Sequence, residues 1–234
     1  MSRIEIYVPP ARRAEAEAFQ LTFVQKVYVW MTAGLALTGV VAAILVTHPD
    51  LMKQLVQSGA FWGIFIGQLL LVMVLSWGIN RISATVATAL YLIYAASMGL
   101  IFSVVFLVYT GESIAATFFV TAGTFGAMSV YGYATKRDLT SLGSLCFMGL
   151  IGIIIASIVN VFLHSTVTYW AITYIGIAIF IGLTAYDTQK IKQMALMGFV
   201  GETARKAAIM GALALYLDFI NLFLLLLRLF GRRR

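Results

Sequence analysis

Apolar residues arrive along this chain in seven long runs, at positions 27–47, 60–79, 84–108, 114–134, 143–163, 168–187 and 208–230, separated by short polar connections. A helix crossing a ~30 Å hydrocarbon layer needs ~20 mostly apolar residues, because lipid offers backbone amides no partner and the helix satisfies them internally. Each run is long enough, so the pattern predicts an all-α, polytopic membrane protein of seven transmembrane helices with no soluble domain left over. Positions 1–26 break the pattern. They carry Arg3, Glu5, Arg12, Arg13, Glu15, Glu17 and Lys26 with Pro9-Pro10, and read as a solvated N-terminal tail ahead of a membrane domain at 27–234. A secretory signal would place a short apolar core and a cleavage site here. The first apolar run instead starts after Lys26 and is long enough to span, so it is expected to stay in the mature protein.

Composition agrees with the pattern. Of 234 residues 62% are apolar and 11% charged, with a mean hydropathy of +0.96, whereas soluble domains are nearer half apolar and a quarter charged. Three prolines and the single Cys146 exclude fibrous and disulfide-stapled classes. The net charge of +7 does not mark a nucleic-acid partner, because the basic residues sit at the ends of apolar runs rather than in a patch with interleaved aromatics. It reports orientation instead. Arg3, Arg12, Arg13 and Lys26 in the tail, Arg81, Lys136, Arg137, Lys190, Lys192, Arg205 and Lys206 all fall on one side; the opposite loops hold Lys53 with Asp50 and Glu112. The positive-inside rule then puts the N-terminus in the cytoplasm. Arg232-Arg233-Arg234 disagrees with a full seventh span. Either the last helix is incomplete and re-entrant, or the larger set of charges outvotes the smaller.

Two acids stand out because they lie within apolar runs: Asp187 closes the sixth, and Asp218 sits well inside the seventh. A charged carboxylate at mid-bilayer costs roughly 2.5–3.5 kcal/mol, so such a group faces a polar interior, finds a partner or holds a proton. Thr184 lies three residues before Asp187, Asn221 three after Asp218 and Gly211 two turns before it, all on shared helix faces. Were the two carboxylates to meet, they would share a proton and form a proton-sensitive switch. Arg81, expected at the same side as Asp187, could then act as a latch that protonation releases, with a divalent cation competing for the oxygens. The alternative is two acids satisfied separately by backbone and hydroxyl groups. Depth is the obstacle, since Asp187 falls near the membrane surface and Asp218 ~15 Å deep. They meet only if the seventh helix starts shallow or the sixth runs past Lys192.

Small residues at helical spacing, namely Gly152, Ala156 and Asn160, then Ala122, Gly126 and Ser129, then Gly176, Phe180 and Thr184, are expected to pack helices closely. Trp30, Tyr131, Tyr133, Tyr169 and Trp170 near span ends are expected headgroup anchors. His48 and His164 lack the partners of a zinc site. No nucleophile elbow, paired-histidine zinc motif or phosphate loop appears, so the chain is not expected to be an enzyme or to hold a cofactor. An intramembrane aspartyl protease would need a Gly-x-Gly-Asp motif, and residues 215–217 are Leu-Tyr-Leu.

The residues Tyr186-Asp187-Thr188-Gln189-Lys190-Ile191, Leu215-Tyr216-Leu217-Asp218-Phe219-Ile220-Asn221-Leu222-Phe223 and Lys136-Arg137-Asp138-Leu139 resemble signatures of the Bax inhibitor-1, or transmembrane Bax inhibitor motif, family. The resemblance runs from about Lys26 to Gly231 and is strongest to bacterial, inner-membrane members. It implies six helices around a central seventh, and a pH-sensitive calcium leak governed by a di-aspartyl sensor at Asp187 and Asp218, which would also bind the transported calcium. Arg81 matches the family's latch arginine. The implied partners are lipid, calcium ions, protons and a membrane protein. The alternative reading is a non-conducting regulator that binds a membrane protease or a cell-death component.

Overall fold

The computed structural model describes residues 10–48, 50, 51, 54 and 57–234, and the side chains of these except 10–17, 60 and 61. Arg3, Glu5 and Lys53 of the charge count lie outside the described residues, as do the side chains of Arg12, Arg13, Glu15 and Glu17. Among the described residues the named helices are α1 (Pro10–Val46), α2 (Ala60–Gly78), α3 (Ala84–Val108), α4 (Gly111–Ala134), α5 (Thr140–Leu163), α6 (Thr166–Leu196) and α7 (Gly201–Phe230). Among the described residues six are long and apolar enough to cross a membrane, and Trp62–Gly78 of α2 is a shorter apolar helix.

Local chemistry sets the helix ends. Hydroxyls of Ser83, Thr110 and Ser165 accept from the backbone N–H groups of Val86, Ser113 and Thr168, capping α3, α4 and α6. His164 closes α5 in the left-handed region at φ 49°.

Helix lengths depart from the apolar runs in an informative way. Helix α1 starts at Pro10, ahead of the expected span at 27, and Gln20 and Phe23 within the expected tail are buried. Helix α6 does not stop at Asp187 but continues to Leu196, and α7 begins at Gly201, ahead of 208. Polarity at 188–196 is accommodated by partners rather than by a helix break: the Gln20 amide donates to the Lys192 carbonyl at 3.2 Å, and Lys192 Nζ donates to the Tyr133 carbonyl at 2.7 Å.

Helix α7 packs against α1, α3, α4 and α6, while α5 packs on α6 and α2 on α3. Its sequence is apolar around most of its circumference, and Leu213, Leu215, Tyr216, Leu222 and Leu227 are buried, as a helix enclosed by neighbours requires. Helix α5 is the opposite case: Phe147, Met148, Ile155, Ile158 and Phe162 are exposed, and lipid tails solvate them as well as a protein core would. Helix α7 is a continuous 30-residue helix, and the chain after it docks on the α3–α4 connection. Thr110 N–H donates to the Arg232 carbonyl at 3.1 Å and Arg234 N–H to the Val108 carbonyl at 2.9 Å. The arginine-rich end therefore lies at the opposite end of the bundle from the α6–α7 connection, and a re-entrant last helix is not what forms.

Candidate functional site

The site is built where α6 and α7 cross. Gly176 takes Leu225 against its backbone, and Gly211 takes Ile191, with the nearest atoms at 2.9 and 3.1 Å from where a β-carbon would stand. These two contacts fix the antiparallel register, and they set Asp218 level with Thr184, one turn from Asp187. The Asp187 and Asp218 carboxyl groups meet within side-chain hydrogen-bonding reach. The depth objection raised by the sequence is removed by α6 running past Lys192. Asp218 is 4% exposed and its Oδ2 is buried without a hydrogen-bond partner, whereas Asp187 is partly buried. An unsatisfied buried carboxyl oxygen is costly, so this atom is where a proton or a cation would be received.

Neighbouring helices come close through glycine. Gly132 of α4 lies on the Ala185 backbone, Gly143 of α5 on the Tyr186 ring, and Gly182 of α6 on Cys146 Sγ at 2.6 Å from its β-carbon position. Each contact flanks the turn that bears Asp187. Cys146 is buried and close enough to Asp218 for the two to interact electrostatically. Ser129 Oγ of α4 is likewise buried without a hydrogen-bond partner. Of the small-residue stripes expected to pack, Gly176 does so, but β-carbons at Gly126 and Gly152 would meet nothing within 4 Å.

Supporting residues behave differently from the expectation. Thr184 is fully buried and donates to the Phe180 carbonyl at 2.7 Å, and Asn221 donates to the Leu217 carbonyl at 2.8 Å. Both satisfy their own helix rather than the acids. Arg81 is exposed in the α2–α3 connection, where its N–H donates to the Gly78 carbonyl at 2.8 Å. Among the described residues no ion pair joins it to either aspartate. The cation whose field reaches Asp187 is Lys190, three residues on, which stands 5.9 Å from the Tyr186 ring centre. No group of three or more His, Cys, Asp or Glu side chains gathers among the described residues. A calcium ion takes six to eight oxygens, so here it would receive at most the four carboxyl oxygens of the pair and complete its shell with water or backbone.

Sequence reasoning passed over Gln189, two residues after Asp187. Its Oε1 accepts from Leu139 N–H at 2.8 Å and its Nε2 donates to the Arg137 carbonyl at 2.7 Å. One side chain thus ties the α4–α5 connection to the turn that carries the acid. The signal was present, since a glutamine among apolar neighbours has to find two partners, but the partners are distant in sequence.

The sequence profile described as "Inhibitor of apoptosis-promoting Bax1" matches residues 20–234. The chain belongs to the Bax inhibitor-1 family. Among its relatives, the inner membrane protein YbhL of Escherichia coli K12 is 54% identical over 216 residues, covering 91% of this chain and 92% of that one. A protein of Rickettsia prowazekii is 46% identical, with 91% and 90% covered. One of Deinococcus radiodurans is 44% identical, with 91% of each covered. As a Bax inhibitor-1 family member with six helices long enough to cross, the chain is a multi-pass integral membrane protein.

Proposed function

We propose that this chain is a passive calcium leak of a bacterial inner membrane, in which a proton shared between Asp187 and Asp218 sets whether the bundle conducts. The observation that carries the reading is the meeting of two carboxyl groups inside the bundle, one of them with a buried, partnerless oxygen. Two carboxylates at this separation repel when both are ionised, so the pair holds one proton or one cation in preference to standing empty. A change in that occupancy changes the charge between α6 and α7. Neighbouring α4 and α5 press on the same turn through glycine, so the charge change is transmitted to them as a packing change.

In this reading α7 is the central one of seven transmembrane helices, and the N-terminus is cytoplasmic by the distribution of Lys and Arg. The latch is a second arrangement. Arg81 reaches the pair only if the end of α2 moves inward, and α2 is suited to move because Trp62 and Trp77 are exposed and its substantial contacts are with α3.

Reconstitution into liposomes loaded with a calcium-sensitive dye tests the proposal. Calcium entry above that of protein-free liposomes, changing with pH, is expected of the full chain. Entry no faster than in protein-free liposomes at any pH overturns the leak and leaves the non-conducting regulator.

A further inference from the structure

We propose that the cavity between the end of α5, the start of α6 and the end of α7 binds the phosphodiester headgroup of an anionic phospholipid. Its volume is about 610 Å³, and Asn160, His164, Tyr169, Trp170, Arg228 and Arg233 stand around it. No aspartate or glutamate lines it. The neighbouring cavity that holds Arg232 includes Glu112 and lacks this one-sided charge.

Arg228 decides the chemistry. It is partly buried in the last turn of α7, its guanidinium lies 4.6 Å from the Tyr169 ring centre, and Nη1 donates to Thr173 Oγ1 at 3.4 Å. A guanidinium offers five N–H donors in a planar fork that matches a phosphate in two places at once. Stacking on Tyr169 holds that plane in advance of binding. Among the described residues the one ion pair is Lys206–Glu202 at the other end of the bundle, so Arg228 is an arginine within a membrane helix with no carboxylate to balance it. Such a charge calls for an anion. The positive end of the α6 helix dipole, beside Ser165 and Thr166, lies on the same wall.

A second cavity of about 250 Å³ favours a lipid over free phosphate. It shares Asn160, Tyr169 and Arg228 with the first and continues one turn further along both helices, past Ser157, Val161 and Ile172. The arrangement offers a charged seat and, directly below it, an apolar groove between α5 and α6 for the glycerol and first acyl carbons. Val161 is 66% exposed beside it, so an acyl chain enters from the bilayer without crossing the core.

The test is native mass spectrometry of the full chain with phosphatidylglycerol or phosphatidylcholine of the same acyl chains added. Retention of phosphatidylglycerol in preference to phosphatidylcholine is expected. Arg228→Gln should hold about tenfold less, since one charge-assisted contact is lost; Arg228→Lys should keep an intermediate amount; Arg205→Gln, at the far end, should match the parent. If Arg228→Gln does not fold, Arg233→Gln and Arg228→Lys carry the same comparison. Equal retention of the two lipids, or undiminished phosphatidylglycerol in the Arg228 and Arg233 variants, overturns the site. Displacement of phosphatidylglycerol by an equal concentration of inorganic phosphate overturns the lipid assignment and gives the cavity to a soluble phosphate.

Discussion

Gly132 of α4 rests on the backbone of Ala185 of α6, so that a β-carbon at 132 would stand 2.9 Å from the Ala185 Cα. Two turns of helix can share that space only without a side chain between them, and the α6 turn concerned bears Asp187 two residues later. Gly132→Ala is therefore expected to part the helices and cost about 1–3 kcal/mol, the usual range for overpacking. Gly126→Ala, six residues earlier in open space, should stay within about 0.5 kcal/mol of the parent. Thermal unfolding of both variants in one detergent checks this, and equal shifts contradict it.

Gln189 is expected to protect the α4–α5 connection. Removing its amide in Gln189→Ala leaves Leu139 N–H and the Arg137 carbonyl without their partner, at a cost of about 1–3 kcal/mol. Lys136 and Arg137 in that connection are trypsin sites. Cleavage there should rise roughly tenfold in the variant, while cleavage after Arg205 stays unchanged. An unaltered rate at Arg137 would show that the connection is held by something else.

A buried hydroxyl network should matter to the α1–α3–α7 contact. Thr38 Oγ1 lies 2.8 Å from the Ala95 carbonyl, 3.0 Å from the Gly34 carbonyl and 2.7 Å from Tyr216 Oη. A threonine hydroxyl has one proton to give, so it donates to a carbonyl and accepts from Tyr216. Tyr216→Phe removes that donor and is expected to cost about 0.5–1.5 kcal/mol. Thr38→Val strands the Tyr216 hydroxyl in an apolar interior and should cost more. The order of the two unfolding midpoints is the measurement, and the reverse order contradicts the assignment of donor and acceptor.

Asp138 gives a pH signature outside the membrane spans. Its Oδ1 accepts from Thr140 Oγ1 at 2.6 Å and Thr140 N–H at 2.9 Å, and these bonds hold its carboxyl below the usual aspartate range. A carboxyl depressed on folding stabilises the fold above its unfolded pKa of about 3.9, and that stabilisation is lost as pH falls through the folded value. Asp138→Ala should thus lower the unfolding midpoint at neutral pH, with the gap to the parent narrowing below about pH 4. A gap that does not change with acidification contradicts this role for the Asp138–Thr140 bonds.

The apolar runs became helices, six of them among the described residues long enough to cross a membrane, because backbone satisfaction in lipid leaves few alternatives, and the two acids were visible because charge inside such a run is expensive. What the chain did not disclose was register. Whether Asp187 meets Asp218 depends on Gly176 seating Leu225 and Gly211 seating Ile191, contacts between residues far apart in sequence. The end of α6 was misplaced for a related reason: Lys190 and Lys192 look like a span terminus, yet Lys192 is held by the Tyr133 carbonyl and the helix carries on. Glycine spacing was a poor guide. Gly126 and Gly152 keep the periodicity of an interface but face open space, whereas Gly176 of the expected stripes packs closely and Gly132, Gly143 and Gly182, outside them, do so as well.

The claim that Asp187 and Asp218 act as one unit is tested most directly by a double-mutant cycle on pH-dependent calcium entry in liposomes, using Asp187→Asn, Asp218→Asn and the pair. Residues sharing one proton lose their joint response when either is changed, so each single variant should abolish as much of the pH dependence as the double. Two partial losses that add up to that of the double variant would contradict a shared switch.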